Sequence, residues 1–452
     1  MKNKKHIGVL GAGVGGLVAA HELLKKGFAV TLLEKHGAVG GMAKAVEVEG
    51  VPLEIFYHHA FKSDTALWDL CRELGIYGNV RWLKSPMGYL TDGRIYDFGT
   101  LGSLMKFKPL NLVGKLRFII STLMLARQKD LNALEGYTAD EWLRRHAGKR
   151  VYETIWMPLL VQKFADDYNK ISMTFIARKV QQRSETRKFG KDESLAYIDG
   201  SFGMIIQRLK ERIEELGGEI ITSAKVEGIE KDGAGILITT TRGKHRFDMA
   251  LATFAPEVLS GLHDFPDGFK NRLSKLRHTG AVCAMLVMKR PLTGIYWLNV
   301  GDNSFPFGAV VEHTNFWGPE HYNGRHIAYI SKYLKPGDPL FTAKNDDVLS
   351  LFYKHLKRIK PEFDESGDIV KAMVFRERYA QPVITSNYSR IKPDFQTPLK
   401  DLYWISTSHI YPEDRGVNYS IKLGMDVSEI ISKDRPAING KQQRTKTVVC
   451  CN

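Results

Sequence analysis

The sequence predicts an α/β fold, and three observations predict it. An apolar, β-prone segment at residues 6–10 runs directly into a glycine-rich turn and then into a stretch of helical periodicity. A second apolar segment, 29–33, follows and stops at an acid, Glu34. Beyond these, residues 98–195 read as mainly helical, while 276–335 hold several β-prone runs, among them 281–287 and 326–333. Strand–helix–strand order at the start of a chain implies a parallel sheet covered by helices. The later strands imply a second sheet.

The opening unit is the most informative. The turn is Gly11-Ala12-Gly13-Val14-Gly15-Gly16, a G-x-G-x-x-G between a buried strand and a helix that Gly27 ends. Each glycine has a physical task. Gly11 permits the tight turn, Gly13 lets backbone approach a pyrophosphate without a Cβ in the way, and Gly16 allows close helix–strand packing. The helix end offers unpaired N–H groups and a partial positive charge to the diphosphate. Glu34 stands 18 residues after Gly16, where a carboxylate can accept hydrogen bonds from an adenosine ribose, and Lys35 adjoins it. The unit is a Rossmann-type dinucleotide site.

Composition sets the outer limits. With 452 residues, 43% hydrophobic and 25% charged, the chain has the balance of a globular protein of two or three domains. Its four cysteines, Cys71, Cys283, Cys450 and Cys451, contain no C-x-x-C, and no Cys/His cluster suggests a metal site. They read as reduced thiols of a cytoplasmic protein, with the last two in a flexible basic tail over 435–452. Lys2, Lys4 and Lys5 before an apolar stretch imitate a signal peptide, but the fingerprint glycines interrupt it. No apolar run approaches the ~20 residues that span a bilayer; the longest, 118–126, includes Ser121 and Thr122.

The net charge is +15. Without a nucleic-acid module or a block of basic residues, nucleic acid is not an expected partner. An anionic membrane surface or an acidic small-molecule substrate is. Between Lys106 and Lys129 there are six basic residues and no acid, interleaved with apolar ones such as Leu116, Ile120 and Leu123. This segment reads either as a helix packed between domains with a solvated basic face, or as one resting on anionic lipid.

Six residues beyond Glu34 stands Gly40-Gly41, followed by Met42, Ala43 and Lys44. Together with the first motif, this pair resembles the extended fingerprint of a flavoprotein superfamily. That group includes protoporphyrinogen oxidase, phytoene desaturase, monoamine oxidase and UDP-galactopyranose mutase. The resemblance implies FAD as cofactor, with the glycine pair passing close to its diphosphate and ribityl. Met42 stands where the family commonly has Arg, and Lys44 is the nearest replacement charge. The family also implies that Val226 meets the adenine with its backbone, and that 251–256 returns toward the cofactor. It further places 402–419, with the helix after it, beneath the isoalloxazine. There His409, Asp414, Gly416, Val417 and Asn418 are implied cofactor contacts. Glu413 is the other acid that could meet the ribityl, since Ser406 to His409 replace the usual Gly-acid pair. Segments 57–61, 156–160, 163–164 and 379–382 are most similar to a bacterial protoporphyrinogen-oxidase-like branch.

The resemblance implies a cofactor domain split over 1–62, 196–265 and 396–434, with 63–195 and 266–395 forming an inserted α+β substrate domain. The implied activity is an oxidase, dehydrogenase or desaturase that moves hydride from a C–N or C–C bond to flavin. The alternatives are a redox-neutral mutase of nucleotide sugars and a non-catalytic FAD-binding protein. Candidate substrate-side residues are Tyr57, His58 and His59, after an expected strand at 53–56, with Arg415 as a binder of carboxylate or phosphate. Tyr379 and Gln381 are further candidates for the pocket wall.

Overall fold

The structure is a computed structural model that describes residues 4–186 and 194–434, so Cys450, Cys451 and the expected tail lie outside the described residues. Five strands form one fully parallel sheet in the order Leu402–Trp404, Met249–Ala252, His6–Leu10, Ala29–Leu33, Glu219–Ile221. Strands hundreds of residues apart in sequence therefore share one sheet. Their side chains alternate as period-2 geometry requires. Ile7, Val9, Val30 and Leu32 face a core shared with helices Val14–Lys25, Gly203–Glu215 and Val417–Lys433. Leu10, Leu33, Ala250 and Ala252 face the opposite way, onto a three-stranded antiparallel meander. That meander is Val226–Asp232, Gly235–Thr240 and Gly243–Phe247.

The second sheet has seven strands, ordered Ile369–Pro382, His278–Met288, His326–Leu334, Ala309–Glu312, Trp297–Val300, Met87–Thr91, Arg94–Asp97. It is mixed: Trp297–Val300 and Met87–Thr91 run parallel and the other pairs antiparallel. His278–Met288 is buried along its whole length. One face of this sheet is covered by helix Asn345–Ile359, through Val348, Phe352 and Leu356 at i, i+4 and i+8. The other face turns Ser331, Tyr333 and Trp297 toward a cavity between the sheet and the helical part.

The helical part runs from Leu101 to Thr186, and three of its helix starts carry side-chain caps. Thr100 and Ser103 form one capping box, Thr138 and Glu141 another, and Asn111 accepts from the N–H of Gly114. Two expectations need correction. The strand expected at 53–56 is Val51–Glu54, the second arm of a hairpin with Ala45–Val48, so Ile55 and Phe56 lie beyond it. Helix Leu112–Arg127 exposes Arg117 and Arg127, but its solvated face is apolar as well as basic. It buries Gly114, Ser121 and Leu125, while Leu112, Val113, Leu116, Ile120, Leu123 and Met124 are exposed.

Candidate functional site

The glycine loop fits a dinucleotide. No side chain caps helix Val14–Lys25, so its first N–H groups stay open at the N-terminus. Gly13 has ordinary extended backbone, φ −71° and ψ 176°. A Cβ added there would meet nothing within 4 Å, so the space beside it is open. Gly16 is different: an added Cβ would sit 2.1 Å from the carbonyl oxygen of Gly11. The glycine pair passes directly over this loop. Gly40 has φ +115° and donates its N–H to Ala12 O at 2.7 Å, and a Cβ on Gly41 would lie 3.2 Å from Gly13 Cα. Glu34 is held ready at the end of its strand. Its two carboxylate oxygens accept from the N–H of Ala12 at 2.8 Å and of His36 at 2.9 Å, and lone pairs remain for a ribose. Lys35 and Lys44 lie near His36, whose pKa is lowered by burial first and by these lysines' charge next. Val226 is buried at the start of the meander, close behind Glu34, whose carbonyl accepts from the N–H of Ala224 at 2.8 Å.

Beyond the loop lies a cavity of about 850 Å³. Met42, Gly416, Val417 and Asn418 line one end. Helix Val417–Lys433 begins there with no side-chain cap, so its positive end opens into the cavity. The Asn418 side chain is committed elsewhere, accepting from the N–H of Leu67 at 3.0 Å. Tyr57, His58, His59 and Arg415 all line the same cavity, as does Gln381; Tyr379 does not.

The environment of the histidines decides what they can do. His58 Nδ1 donates to the carbonyl of Phe56 at 2.7 Å, which leaves Nε2 as the acceptor. His59 Nδ1 bonds the hydroxyl of Tyr296 at 2.9 Å. Burial pushes His58 down to about 4 and His59 to about 3, so both are neutral at pH 7. Such weak bases orient a ligand through hydrogen bonds better than they capture its proton. The Tyr57 hydroxyl, 3.3 Å from Ser331 Oγ, is driven well above the usual tyrosine range by burial.

A cationic cluster lines the wall beside them. Lys163 Nζ bonds Asp414 Oδ2 at 2.5 Å, and Lys179 Nζ bonds the same oxygen. Asp414 Oδ1 accepts from the N–H of Arg415 at 3.0 Å, and Arg415 Nη2 donates to the Tyr333 hydroxyl at 2.8 Å. The Nε of Arg415 is buried with no hydrogen-bond partner. Burial alone would raise the Asp414 carboxyl, but the two lysines outweigh it and hold it well below the usual range. Burial lowers Lys179 from 10.5 to about 8 despite Asp414. Two lysines thus share one carboxylate in a largely apolar cavity, and the Arg415 guanidinium adds a third positive charge on the neutral Tyr333 hydroxyl.

Lys179 was not among the residues singled out from sequence, and neither was the carboxyl of Asp64, which burial raises to about 6 at the cavity wall. A trace of Lys179 was available: it falls in the inward stripe of helix Met173–Thr186 with Phe175, Ile176 and Val180, where a charge is out of place.

Two expected cofactor contacts are used differently. Asp414 commits both oxygens to the protein, holding the lysines rather than standing open for a ribityl, and Glu413 lies 3.7 Å from Arg178. His409 is 3% exposed and does not line the cavity. Its Nδ1 accepts from the N–H of Ser406 at 3.0 Å, and its ring stacks on Phe395 and meets Trp404 edge-on. It is a structural histidine that closes the turn after strand Leu402–Trp404.

A parallel sheet with an open, glycine-lined helix end, joined to a second sheet across a large cavity, defines the architecture of a dinucleotide-binding protein. The particular family follows from comparison. Residues 14–414 match the model of the flavin-containing amine oxidoreductases, and the chain belongs to that family. Its cofactor is FAD, and the loop, Glu34 and the glycine pair fit it. Among relatives, a Mycobacterium tuberculosis protein provisionally assigned as flavin-containing monoamine oxidase AofH is 24% identical over 264 residues, 55% of this chain and 56% of that protein. The 15-cis-phytoene desaturase of Capsicum annuum is 24% identical over 246 residues, 50% of this chain and 42% of that protein. The chain thus spans about half the length of the curated relatives it matches. In fold, it superposes on a solved structure from Exiguobacterium sp. 255-15, provisionally assigned as a protoporphyrinogen oxidase. The TM-score is 0.78 at 17% identity, over 96% of this chain and 100% of that one.

Proposed function

We propose that this protein is an FAD-dependent oxidoreductase that takes hydride from a C–N or C–C bond of an apolar substrate carrying an acidic group. The observation that carries this is the cavity wall, where Lys163 and Lys179 share the carboxylate of Asp414 and the buried Arg415 guanidinium bonds the neutral Tyr333 hydroxyl, amid aromatic and aliphatic side chains. Surplus positive charge in a low-dielectric site is costly until an anion arrives. The same reading divides the chain into a cofactor domain over 1–62, 196–265 and 396–434, with the remainder of 63–395 forming the substrate domain.

Bound FAD supplies the hydride acceptor. The chain supplies position and field. The glycine loop and Glu34 hold the nucleotide end. The open end of helix Val417–Lys433 favours negative charge at the cavity end that Met42 lines. Arg415 and the two lysines grip the substrate's acid. Neutral His58 and His59 orient the substrate by hydrogen bonds, and Phe118, Trp156, Phe175 and Trp297 keep water out.

Anaerobic mixing of the yellow protein with matched apolar compounds tests this. Compounds ending in a carboxylate are expected to bleach the flavin, and isosteric neutral or amine-terminated ones to bleach it far less. Bleaching by amines alone overturns the substrate class. Turnover that needs prior dithionite reduction overturns the net redox reaction in favour of a redox-neutral one.

A further inference from the structure

Helices normally turn apolar side chains inward and polar ones to solvent. Helix Leu112–Arg127 does not. Inward it buries Gly114, Ser121 and Leu125, and outward it exposes a second apolar face. Leu112, Val113 and Leu116 are 70%, 62% and 57% exposed. Ile120, Leu123 and Met124 continue the face, and Leu101 and Met105 of helix Leu101–Lys106 extend it. The two helices are tied together by Lys115 Nζ, which donates to the carbonyl of Met105 at 2.5 Å. An apolar surface of this extent on one side of a protein marks a contact with something else.

Charge indicates what that something is. Exposed Lys106, Lys108, Arg117, Arg127 and Lys129 rim the face, and no acid occurs between Lys106 and Lys129. A second copy of the chain, related by a two-fold axis, would set this basic rim against itself. A bilayer with anionic headgroups would satisfy both the apolar centre and the basic rim. A helix of 16 residues is about 24 Å long, suited to lying in the headgroup plane, and no helix among the described residues is long and apolar enough to cross a membrane.

The cavity ends at the same face. Leu101 and Leu123 line it and are also 49% and 41% exposed, while Leu104, Phe118 and Ile119 line it from behind. We propose that helices Leu101–Lys106 and Leu112–Arg127 dock the protein on an anionic phospholipid surface, so that the cavity opens into the bilayer. The docking does not depend on the chemistry assigned to the cavity.

Co-sedimentation of the full, FAD-loaded chain with vesicles tests it. Binding is expected to vesicles of phosphatidylcholine with phosphatidylglycerol, much less to phosphatidylcholine alone, and to weaken as salt rises. Leu116→Glu with Ile120→Glu is expected to lower partitioning about a hundredfold, about tenfold per side chain, with flavin absorbance and thermal midpoint unchanged. Hydrogen exchange is expected to slow on vesicle binding at residues 101–127. Partitioning unaffected by the double variant, slowed exchange on another face, or a solution dimer burying 101–127 with no vesicle binding would each overturn the proposal.

Discussion

Replacing Gly13 by valine separates cofactor binding from folding, because the two glycines of the loop do different jobs. At Gly13 the backbone is extended and an added Cβ meets nothing within 4 Å, so the chain tolerates a branched side chain without strain. What the isopropyl group would fill is the space beside the open helix end, where the proposed site holds the FAD diphosphate. Displacing the diphosphate removes charge-assisted hydrogen bonds of about 1.5–3 kcal/mol each. Two such losses weaken FAD by roughly a hundredfold to ten-thousandfold. The stabilisation lent by bound FAD goes with it, about 4 kcal/mol if FAD stands at a thousand times its Kd. The assay is flavin absorbance per protein after desalting, alongside thermal unfolding of the apoprotein. Gly13→Val is expected to be colourless, with the wild-type apoprotein's midpoint. Gly16→Ala is the control with the opposite signature, since its Cβ would sit 2.1 Å from Gly11 O and strain the packing of helix on strand. It should lower the apoprotein midpoint itself. A Gly13→Val protein that stays fully yellow would refute the placement of the diphosphate, and one that fails to fold would refute the open space.

Three further predictions follow from the same structure. Glu54 is 1% exposed, accepts from the N–H of Phe202 and the Tyr197 hydroxyl, and is raised by burial from 4.5 to about 7. A carboxyl raised on folding stabilises below its unfolded value and loses that contribution as pH rises through the folded one, so Glu54 should pull the apoprotein midpoint down between about pH 4.5 and 7, against the rise contributed by buried, neutral His58 and His59. Glu54→Gln should remove that downward contribution, so that the midpoint of the variant rises relative to wild type across this window; an unchanged pH profile would refute it. At Gly424, an added Cβ would lie 2.6 Å from Gly15 O and 2.9 Å from Val18 Cβ, so Gly424→Val should wedge the two helices apart and cost about 1–3 kcal/mol by denaturant unfolding. For Lys179→Met, KM for a bleaching acidic substrate should rise about tenfold or more, with kcat less affected. In the wild type, KM should rise above about pH 8 as Lys179 loses its charge, a break that the variant should lack.

The cofactor half of the molecule was legible because it is local. Strand, glycine turn, helix, strand and acid all lie within residues 6–34, and Gly40-Gly41 falls only a few residues later, so spacing alone carries the geometry. Tyr57, His58, His59 and Arg415 were found from their distance to such motifs, and the structure brings all four to one cavity. The rest depends on contacts that spacing does not encode. Asp414 looked like a ribityl ligand until Lys163 and Lys179, some 250 residues earlier, were seen to occupy it. The burial that disarms His58 and His59 as bases comes from packing against distant strands, as with Tyr296 beside His59. The outward apolar face of helix Leu112–Arg127 was hidden because a helix apolar on two sides and one packed between domains share the same composition.

Mass spectrometry of the small molecules released from the purified, folded protein, combined with reconstitution of the apoprotein, tests the flavin assignment most directly. The expected result is one FAD per chain, released intact on denaturation and regained by wild type but not by Gly13→Val. A folded protein that releases no flavin and takes none up when supplied with it would contradict it.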